Sequence, residues 1–386
     1  MDTPRLPADF YRAAVDRFDR LRAQGRLFYY PTEGDVVDHH GFKFHFSVSP
    51  AIARKPVLAA DAPERRGAGG PFVDPDPEFV VGRLGGGGNA VAAGVATDAS
   101  TDEAAAAGTP PVDHVVELSM HAMLRPHFVL HTRRFAPQTD DVDAGDWAAS
   151  WAVMEAVRQA KATAAATTAA VDDDHSRPAP MLLYNCGYAG GASQGHKHVQ
   201  VFPAPRPFPL FPEEVVAAGA GAGAGAPTDA TAPLPPHPAV PFQHFVLPLA
   251  APVTPARLLA TYRRLLGEVR RAHREHAEGQ QPHTNGIASG TTNGSTNGTA
   301  GGTTTDPDDA PSTTAYNVVC TPTWMCLIPR RRGGKRGTGA GALGMLGVLW
   351  LKDGAERAHW TALGMTDHLV WMGLPRTDGE GRAWGG

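Results

Sequence analysis

Apolar residues recur at helical spacing in three segments of the chain, residues 9–24, 146–161 and 255–276. In each segment they form one stripe, with polar side chains on the opposite side, as in an amphipathic helix. Gly25 is a suitable end for the first segment because glycine tolerates the left-handed conformation that terminates many helices. The pattern therefore predicts three helices that each bury one face.

Shorter segments alternate or concentrate apolar residues in the manner of β-strands. Residues 42–48 alternate apolar and polar side chains, which is typical of a half-buried strand. Further strands are predicted at 115–118, 128–132, 181–184, 196–202, 242–248, 316–321, 325–328 and 346–352. Several of these are close enough in sequence to form hairpins, so we expect an α+β fold with an antiparallel sheet and helices packed against it.

Four stretches consist almost entirely of Gly, Ala, Thr, Asp, Asn and Pro. They cover residues 85–111, 161–178, 216–236 and 278–314. They contain too few apolar side chains to offset the entropy lost on ordering, so we expect long mobile or disordered loops. Lengthening a closed loop costs little free energy, and a folded core can carry all four. We interpret residues 1–386 as one domain, with halves at 1–215 and 237–386.

The most informative polar pattern is a glycine-rich turn that is followed directly by His196, His198 and Gln200. If these residues lie on a strand, their side chains share one face, because successive strand residues alternate between faces. Glycines in the turn let backbone N–H groups approach a ligand closely, and consecutive N–H groups make a concavity suited to phosphate. A neutral imidazole beside a phosphate can act as a nucleophile. The residues thus point to nucleotidyl transfer.

The run from Asn185 to Gln200 reads N-x-G-x-x-x-G-A-S-Q-x-H-K-H-x-Q. It resembles the active-site motif of the HIT superfamily, and within it the ATP adenylyltransferase branch, the diadenosine tetraphosphate phosphorylases. Residues 315–330 resemble the second signature of that branch, and residues 126–138 resemble the strand and turn before its active site. Weaker similarity at 42–56 and 341–353 extends the likeness to most of the chain outside the low-complexity stretches. The resemblance implies a HIT-like antiparallel sheet made of two HIT-like halves, one of which keeps the nucleophile.

The activity that this resemblance implies is phosphorolysis of diadenosine tetraphosphate to ATP and ADP, through a covalent adenylyl group on His198. Adenylyl sulfate, converted to ADP and sulfate, is a further substrate implied by the family. Hydrolytic relatives carry histidine at the position of Gln200. Glutamine can hydrogen-bond a phosphoryl oxygen but cannot take a proton from water. Phosphate is already an anionic nucleophile and needs such a base less, so Gln200 favours a transferase.

The resemblance also implies the residues that surround the reaction. The catalytic set is His198, Gln200 and His196, and Lys55 would oppose the charge of the phosphate chain. The substrate-binding candidates in the glycine-rich segment are Asn185, Gly191, Ala192, Ser193 and Gln194. Those in the second signature are Asn317, Thr321, Met325 and Arg330. One departure is Ser119-Met120, where relatives usually have Asn-Lys, so an expected cation is missing near the distal phosphates.

Three other functions remain open from the sequence. His196 and His198 could be zinc ligands, because imidazole commonly binds zinc. The chain could transfer uridylyl groups to a sugar phosphate, which is another chemistry of an H-x-H-x-Q motif, or it could bind nucleotides without catalysis. Five further histidines lack a companion carboxylate at a recognisable spacing, and we interpret them as surface or packing residues. They are His39, His40, His121, His127 and His131.

Composition adds limits on partners and compartment. The 386 residues include 35 basic and 39 acidic ones, a net charge of −4 that gives no reason to expect a nucleic-acid partner. Three irregularly spaced cysteines form no disulfide framework and fit a reducing compartment, and no run approaches the roughly 18 apolar residues of a membrane span. We expect a cytoplasmic protein, with a monomer favoured, whose partners are diadenosine tetraphosphate, ATP, ADP and phosphate.

No covalent cofactor and no protein-bound metal are implied by the sequence. Mg²⁺ that arrives on the polyphosphate of a nucleotide needs no protein motif, so its participation stays open.

Overall fold

The computed structural model describes residues 4–31, 33–67, 69–85, 112–167, 179–221, 232–279, 311–335 and 337–376. The helices are α1 Phe10–Ala23, α2 Pro50–Ala53, α3 Ala144–Thr167, α4 Phe211–Gly221, α5 Pro255–Gly279, α6 Ala342–Met345, α7 Gly354–Ala362 and α8 Met365–Met372. Within these ranges, no helix combines the length and apolar character needed to cross a membrane.

The strands follow in the same chain order. They are β1 Gly34–His39, β2 Phe42–Val48, β3 Val80–Gly85, β4 Asp113–Leu118, β5 Phe128–Thr132, β6 Pro180–Cys186, β7 His198–Pro203, β8 Phe245–Pro248, β9 Tyr316–Cys320, β10 Trp324–Pro329, β11 Gly334–Lys335, β12 Thr338–Gly339 and β13 Val348–Leu351.

Eight strands form one antiparallel sheet in the order β3-β4-β5-β7-β6-β9-β10-β8. β3 to β7 come from the first half of the chain and β8 to β10 from the second, and the two sets meet where β6 pairs with β9. The predicted α+β fold with an antiparallel sheet is confirmed. Strand β7, which carries His198, pairs with β5 on one side and β6 on the other. A strand held on both sides is a rigid platform for a reactive side chain.

Different elements cover the two faces of this sheet. Helices α1, α3 and α5 pack on one face, where Trp147, Tyr262 and Val201 are buried. A smaller sheet of β1, β2 and β13 packs on the other face together with α4, α6, α7 and α8. On this second face β5 and β7 present polar side chains, and the candidate site lies there.

The three predicted helices are confirmed as α1, α3 and α5, with small shifts of their ends. Gly25 follows α1 with a positive φ of 70°, and its backbone N–H donates to Arg22 O at 3.0 Å. This is the left-handed stop that the sequence predicts. The buried stripes are core, since Trp147 and Met154 of α3 are fully buried.

The predicted strands are observed, with one shift that bears on the site. β7 begins at His198 rather than at residue 196, because His196 forms only an isolated bridge with Pro137. The sequence pattern does not predict β1, whose residues Gly-Asp-Val-Val-Asp-His are exposed or half-buried at the edge of the small sheet. An edge strand with so little burial lacks the alternation on which the prediction depends.

The predicted loop boundaries need correction at two places. α3 continues to Thr167, inside the stretch predicted as a loop at 161–178, and α4 continues to Gly221, inside the stretch predicted at 216–236. Alanine-rich sequence has high helix propensity, so a helix that has already formed can extend into it. Most of the stretches 85–111, 161–178 and 278–314, and residues 222–231 of the stretch 216–236, lie outside the described residues.

All three cysteines, Cys186, Cys320 and Cys326, are free and buried. Burial raises the pKa of the Cys186 thiol to about 12. They are packing residues of the sheet, and their thiols stay protonated at neutral pH.

Candidate active site

His198 occupies the first position of β7, opposite His131 of β5. Its Nδ1–H donates to the carbonyl oxygen of His196 at 2.8 Å. This bond places the ring proton on Nδ1 and leaves the lone pair on Nε2. Burial, together with the positive charges of Lys55 and Arg65, lowers the pKa of His198 to about 4. The imidazole is therefore neutral at physiological pH, with Nε2 as its nucleophilic atom.

Gln138 holds the backbone of His198 from both sides. Its Oε1 accepts the His198 N–H at 2.7 Å, and its Nε2 donates to His198 O at 3.1 Å. The same Nε2 donates to Asn185 O of β6 at 2.8 Å. Gln138 thus bridges the end of β6 and the start of β7, where the two strands separate. The side chain is buried, so these bonds face no competition from solvent.

Gln200 lies on the same face as His198, as the alternation along a strand predicts. Its neighbours in the sheet are Val129 on β5 and Leu183 on β6. Its side-chain Oε1 lies 3.0 Å from Nε2 of His127, a histidine that is buried beneath it. His127 is therefore part of the site and not a surface residue.

His196 contacts the same face but serves a different purpose. Its Nε2 lies 3.0 Å from the hydroxyl of Thr132, which itself donates to Arg134 O at 2.7 Å. The hydroxyl proton is thus engaged, so the hydroxyl oxygen accepts a hydrogen bond from His196 Nε2–H, and this bond fixes the ring. Burial lowers the pKa of His196. Its carbonyl oxygen orients the ring of His198, so its contact with that residue is made through the backbone.

Phe72 covers the histidines from the side opposite the sheet. Its ring centroid lies 4.8 Å from that of His131, in a stacked arrangement, and 5.1 Å from that of His198. The ring of His196 lies 5.9 Å away, edge-on. This aromatic cover contributes to the burial of His198, of which only 7% is exposed.

The glycine-rich turn is shaped by close packing against two other segments. A Cβ on Gly191, whose φ is +89°, would lie 2.7 Å from the Cα of Gly341. A Cβ on Gly195 would lie 2.2 Å from the Cα of Arg65. Within the described part of the chain, the backbone N–H groups of Ser193, Gln194 and Gly195 have no hydrogen-bond acceptor. Three consecutive free donors beside a histidine are available to hydrogen-bond an anion.

The turn also binds the segment that carries Lys55. The N–H of Leu58 donates to Ser193 O at 3.0 Å, and Gln194 Nε2 donates to Pro56 O at 3.2 Å. Arg65 Nη2 donates to Ala192 O at 3.1 Å, and its guanidinium lies 4.8 Å from the ring centre of Tyr188. These contacts bring residues 55–65 to the motif, from more than a hundred positions earlier in the chain.

Lys55 is a half-buried cation at this site. Among the described residues nothing accepts a hydrogen bond from its ammonium and no carboxylate pairs with it. Burial lowers its pKa, and its charge in turn lowers the pKa of His127 and of His198. An unpaired buried cation is costly unless a ligand balances it, so its position favours an anionic substrate.

Asn185, Asn317 and Arg330 form one buried chain of hydrogen bonds behind the turn. Arg330 Nη1 donates to Asn317 Oδ1 at 2.6 Å, and Asn317 Nδ2 donates to Asn185 Oδ1 at 2.8 Å and to Gly190 O at 2.7 Å. Arg330 is 0% exposed, and burial lowers its pKa to about 9. Asn317 and Arg330 therefore brace the turn from inside the protein, and their contact with the substrate stays a prediction.

Thr321 and Met325 are not brought to the site. Met325 is fully buried on the face of the sheet that α1, α3 and α5 cover, while its strand neighbour Cys326 packs on the other face. The hydroxyl of Thr321 accepts the N–H groups of Thr323 and Trp324, both at 3.3 Å, and closes the turn between β9 and β10. The second signature thus contributes to the fold, because one register position decides which face a strand residue meets.

The site contains residues that the sequence does not single out as functional. Gln138 lies within the resembling segment 126–138 and could have been found there. His127 lies in the same segment, whereas Arg65 and Phe72 carry no pattern of their own and are brought to the site only by tertiary contacts. Within the described ranges, no three His, Cys, Asp or Glu side chains are grouped as metal ligands.

Comparisons with known proteins give a family match over part of the chain and a similar fold over nearly all of it. A family model described as ATP adenylyltransferase C-terminal domain matches residues 238–375. A search of curated proteins gives no significant sequence match.

Crystal structures of yeast Ap4A phosphorylase Apa2 have a similar fold. One aligns with a TM-score of 0.62 and 21% identity over 96% of this chain and 99% of that chain. The complex with Ap4A aligns with a TM-score of 0.59 and 21% identity, covering 95% and 98%. The complex with AMP gives 0.61 and 20%, covering 96% and 98%. Both comparisons agree with the resemblance predicted from the sequence, since residues 238–375 match the family model and the fold is similar to that of these structures.

Proposed function

We propose that this protein phosphorolyses diadenosine tetraphosphate, Ap4A, to ATP and ADP through an adenylyl group carried on His198. The observation that carries the proposal is the neutral, buried imidazole, whose Nδ1–H is held by His196 O and whose Nε2 stays free. Beside it lie three unpartnered backbone N–H groups and the unpaired cation of Lys55. The combination suits an anionic phosphate chain next to a nitrogen nucleophile.

The reaction divides into two displacements at one phosphorus atom. His198 Nε2 attacks the α-phosphorus, an N–P bond forms, and the P–O bond to the remaining three phosphates breaks to release ATP. Inorganic phosphate then attacks the same phosphorus, the N–P bond breaks, and ADP leaves. The Nδ1–H bond to His196 O stabilises the imidazolium that exists between the two steps. Adenylyl sulfate, which carries the same adenylyl group, is the second substrate that we propose, with the cytoplasm as the compartment and a monomer as the assembly.

The test is incubation of the purified protein with Ap4A, with and without inorganic phosphate, followed by separation of the nucleotides. We expect ADP and ATP, and only when phosphate is present. AMP and ATP without phosphate would instead make the protein a hydrolase. Labelled UMP-enzyme formed from UDP-glucose, without AMP-enzyme, would move the assignment to uridylyl transfer. Tight nucleotide binding with no product in any assay would leave a binding protein.

Exchanging Gln200 for histidine tests whether the glutamine favours phosphate over water in the second step of the reaction. A histidine there supplies a base for water, so Gln200→His is expected to raise the ratio of AMP to ADP at least about tenfold. The ratio is measured at fixed phosphate concentration by chromatography. An unchanged ratio would contradict the role assigned to the glutamine.

Removing the hydrogen bonds between Gln138 and the backbone of His198 is expected to slow catalysis without abolishing substrate binding. Gln138→Met keeps the side-chain volume but loses the bonds to the His198 N–H and O, and the imidazole loses its fixed position. We expect kcat to fall about 10²-fold with a small change in KM. Gln159→Met on the exposed surface of α3 is the matched control. Equal kcat values for both variants would show that Gln138 does not position His198.

The pH dependence of adenylylation reports the protonation of His198. Because the pKa of His198 is lowered to about 4, the reactive neutral form persists as the pH falls below 6.5, the usual pKa of histidine. We expect single-turnover adenylylation from Ap4A, in the absence of phosphate, to decline only as the pH approaches about 4. An acid limb centred near pH 6.5 would contradict this. Omitting inorganic phosphate removes its own titration from the profile.

A further inference from the structure

His127 makes two hydrogen bonds that together define its tautomer. Its Nδ1 lies 3.4 Å from the backbone N–H of Met123, which can only donate, so Nδ1 carries the lone pair. The ring proton is then on Nε2, which lies 3.0 Å from Gln200 Oε1. Burial and the nearby charge of Lys55 lower the pKa of His127 to about 3, so the ring is neutral and has this one proton.

The tautomer fixes the orientation of the Gln200 amide. A glutamine side chain can rotate by half a turn and exchange its oxygen and nitrogen, and the two orientations have nearly the same shape. With Nε2–H of His127 facing it, the oxygen orientation makes a hydrogen bond, whereas the nitrogen orientation would set two donors against each other. The oxygen is thereby held against His127, and the NH2 group points away from it.

The NH2 group of Gln200 is available to a ligand. Within the described ranges Gln200 Nε2 has no acceptor. Gln200 and His198 lie two residues apart on β7 and share a face of the sheet. A donor at this position faces the oxygens of a phosphoryl group that is attacked by His198 Nε2.

We propose that His127 is a positioning residue that holds the Gln200 amide with its NH2 group towards the transferred phosphoryl group. The proposal rests on the proposed function for the identity of the group transferred, while the tautomer and the amide orientation exist independently of turnover. His127 itself does not touch the substrate and acts only through Gln200. The NH2 group donates to a phosphoryl oxygen whose negative charge grows as phosphorus passes through five-coordination, so the bond is strongest in the transition state.

A double-mutant cycle separates this role from a structural one. Gln200→Ala removes the donor and is expected to lower the single-turnover rate about 10²-fold. His127→Phe fills the same space but leaves the amide free to turn, and we expect a loss of about tenfold in kcat with little change in KM. In the Gln200→Ala background, His127→Phe is expected to change the rate less than about twofold, since its effect passes through the missing amide. Losses that multiply fully in the double variant would overturn the proposal.

Rescue and a matched control sharpen the kinetic test. His127→Gln places a side-chain N–H near the position of the imidazole Nε2–H and is expected to recover most of the rate that His127→Phe loses. His244→Phe removes another buried histidine, which belongs to the second half of the chain and hydrogen-bonds Phe242 O and the His237 N–H. It is expected to leave the rate within about twofold of the parent protein. A His127→Gln variant as slow as His127→Phe would count against the donor role.

The tautomer is measured without any substrate. Nitrogen-15 NMR of histidine-labelled protein distinguishes Nε2–H from Nδ1–H, and the His127 signal is assigned by its loss in His127→Gln. We expect a neutral Nε2–H ring, and an Nδ1–H ring would overturn the proposal even if every variant were slow. A parent protein that leaves Ap4A intact would refute the proposed function, and the NMR result would still decide the orientation of the Gln200 amide. Should His127→Phe fail to fold, the NMR measurement and His127→Gln carry the test.

Discussion

Replacing His198 by alanine is expected to reduce adenylyl transfer by at least about four orders of magnitude. The variant lacks Nε2, so no N–P bond can form. Phosphate would then have to attack Ap4A directly, without the intermediate that the imidazole provides. Nucleotide binding should persist, because the free N–H groups of the glycine-rich turn and the cation of Lys55 are untouched. The measurement is single-turnover release of ATP from Ap4A, together with trapping of labelled AMP on the protein.

The matched control for this experiment is His359→Ala, which changes an exposed histidine on α7. It is expected to retain the parent rate. Turnover in His198→Ala at a rate near that of the control would contradict the covalent mechanism. Loss of nucleotide binding together with turnover would show that the imidazole also holds the substrate.

Replacing Lys197 by methionine is expected to lower the free energy of unfolding by about 3–5 kcal/mol. Lys197 lies between the two histidines of the motif, but its side chain points to the opposite face of the sheet, which α1, α3 and α5 cover. Its Nζ lies 2.5 Å from Asp146 Oδ2 and 3.4 Å from Asp143 Oδ2, and Asp146 also accepts a bond from His114 Nε2 at 2.8 Å. Methionine fills similar space but leaves the charge of Asp146 buried without its cation.

The pKa values show which effect prevails in this buried group. Burial disfavours the charged forms of both residues, yet the pairing outweighs it, since the pKa of Lys197 is raised and that of Asp146 is lowered. Both side chains are therefore ionised in the folded protein. The bond fixes the start of α3 to the segment that leads into β7, so its loss should also disturb the histidine strand.

Chemical unfolding monitored by tryptophan fluorescence measures the change in Lys197→Met. Arg158→Ala is the control, because it breaks an ion pair with Glu155 on the exposed surface of α3, whose loss should cost no more than about 1 kcal/mol. Equal losses for the two variants would show that burial adds nothing to the pair at Lys197. A destabilised Lys197→Met that keeps the parent kcat would show that the strand holds its position without this anchor.

The sequence predicted the local architecture well where a single period dominates. The stripes of α1, α3 and α5 and the alternation in β2 and β5 appear at nearly the expected positions, because each pattern reflects burial of one face. The same alternation correctly predicts that His198 and Gln200 share one face of β7. The sequence pattern does not predict β1, because its residues are only slightly buried. It also does not predict the ends of α3 and α4, because alanine-rich sequence permits both helix and loop.

What the sequence determined by itself is the α+β fold and the shared strand face of His198 and Gln200, because these depend on contiguous residues and their period. Only the tertiary structure showed which further distant residues contact the motif: Gln138, Phe72 and His127 meet it through strand pairing and loop packing. The structure also places Arg330 in a buried network behind the glycine-rich turn and Met325 on the face of the sheet opposite the site. Contacts between residues far apart in the chain depend on register and packing, and these leave no local signal in a single sequence.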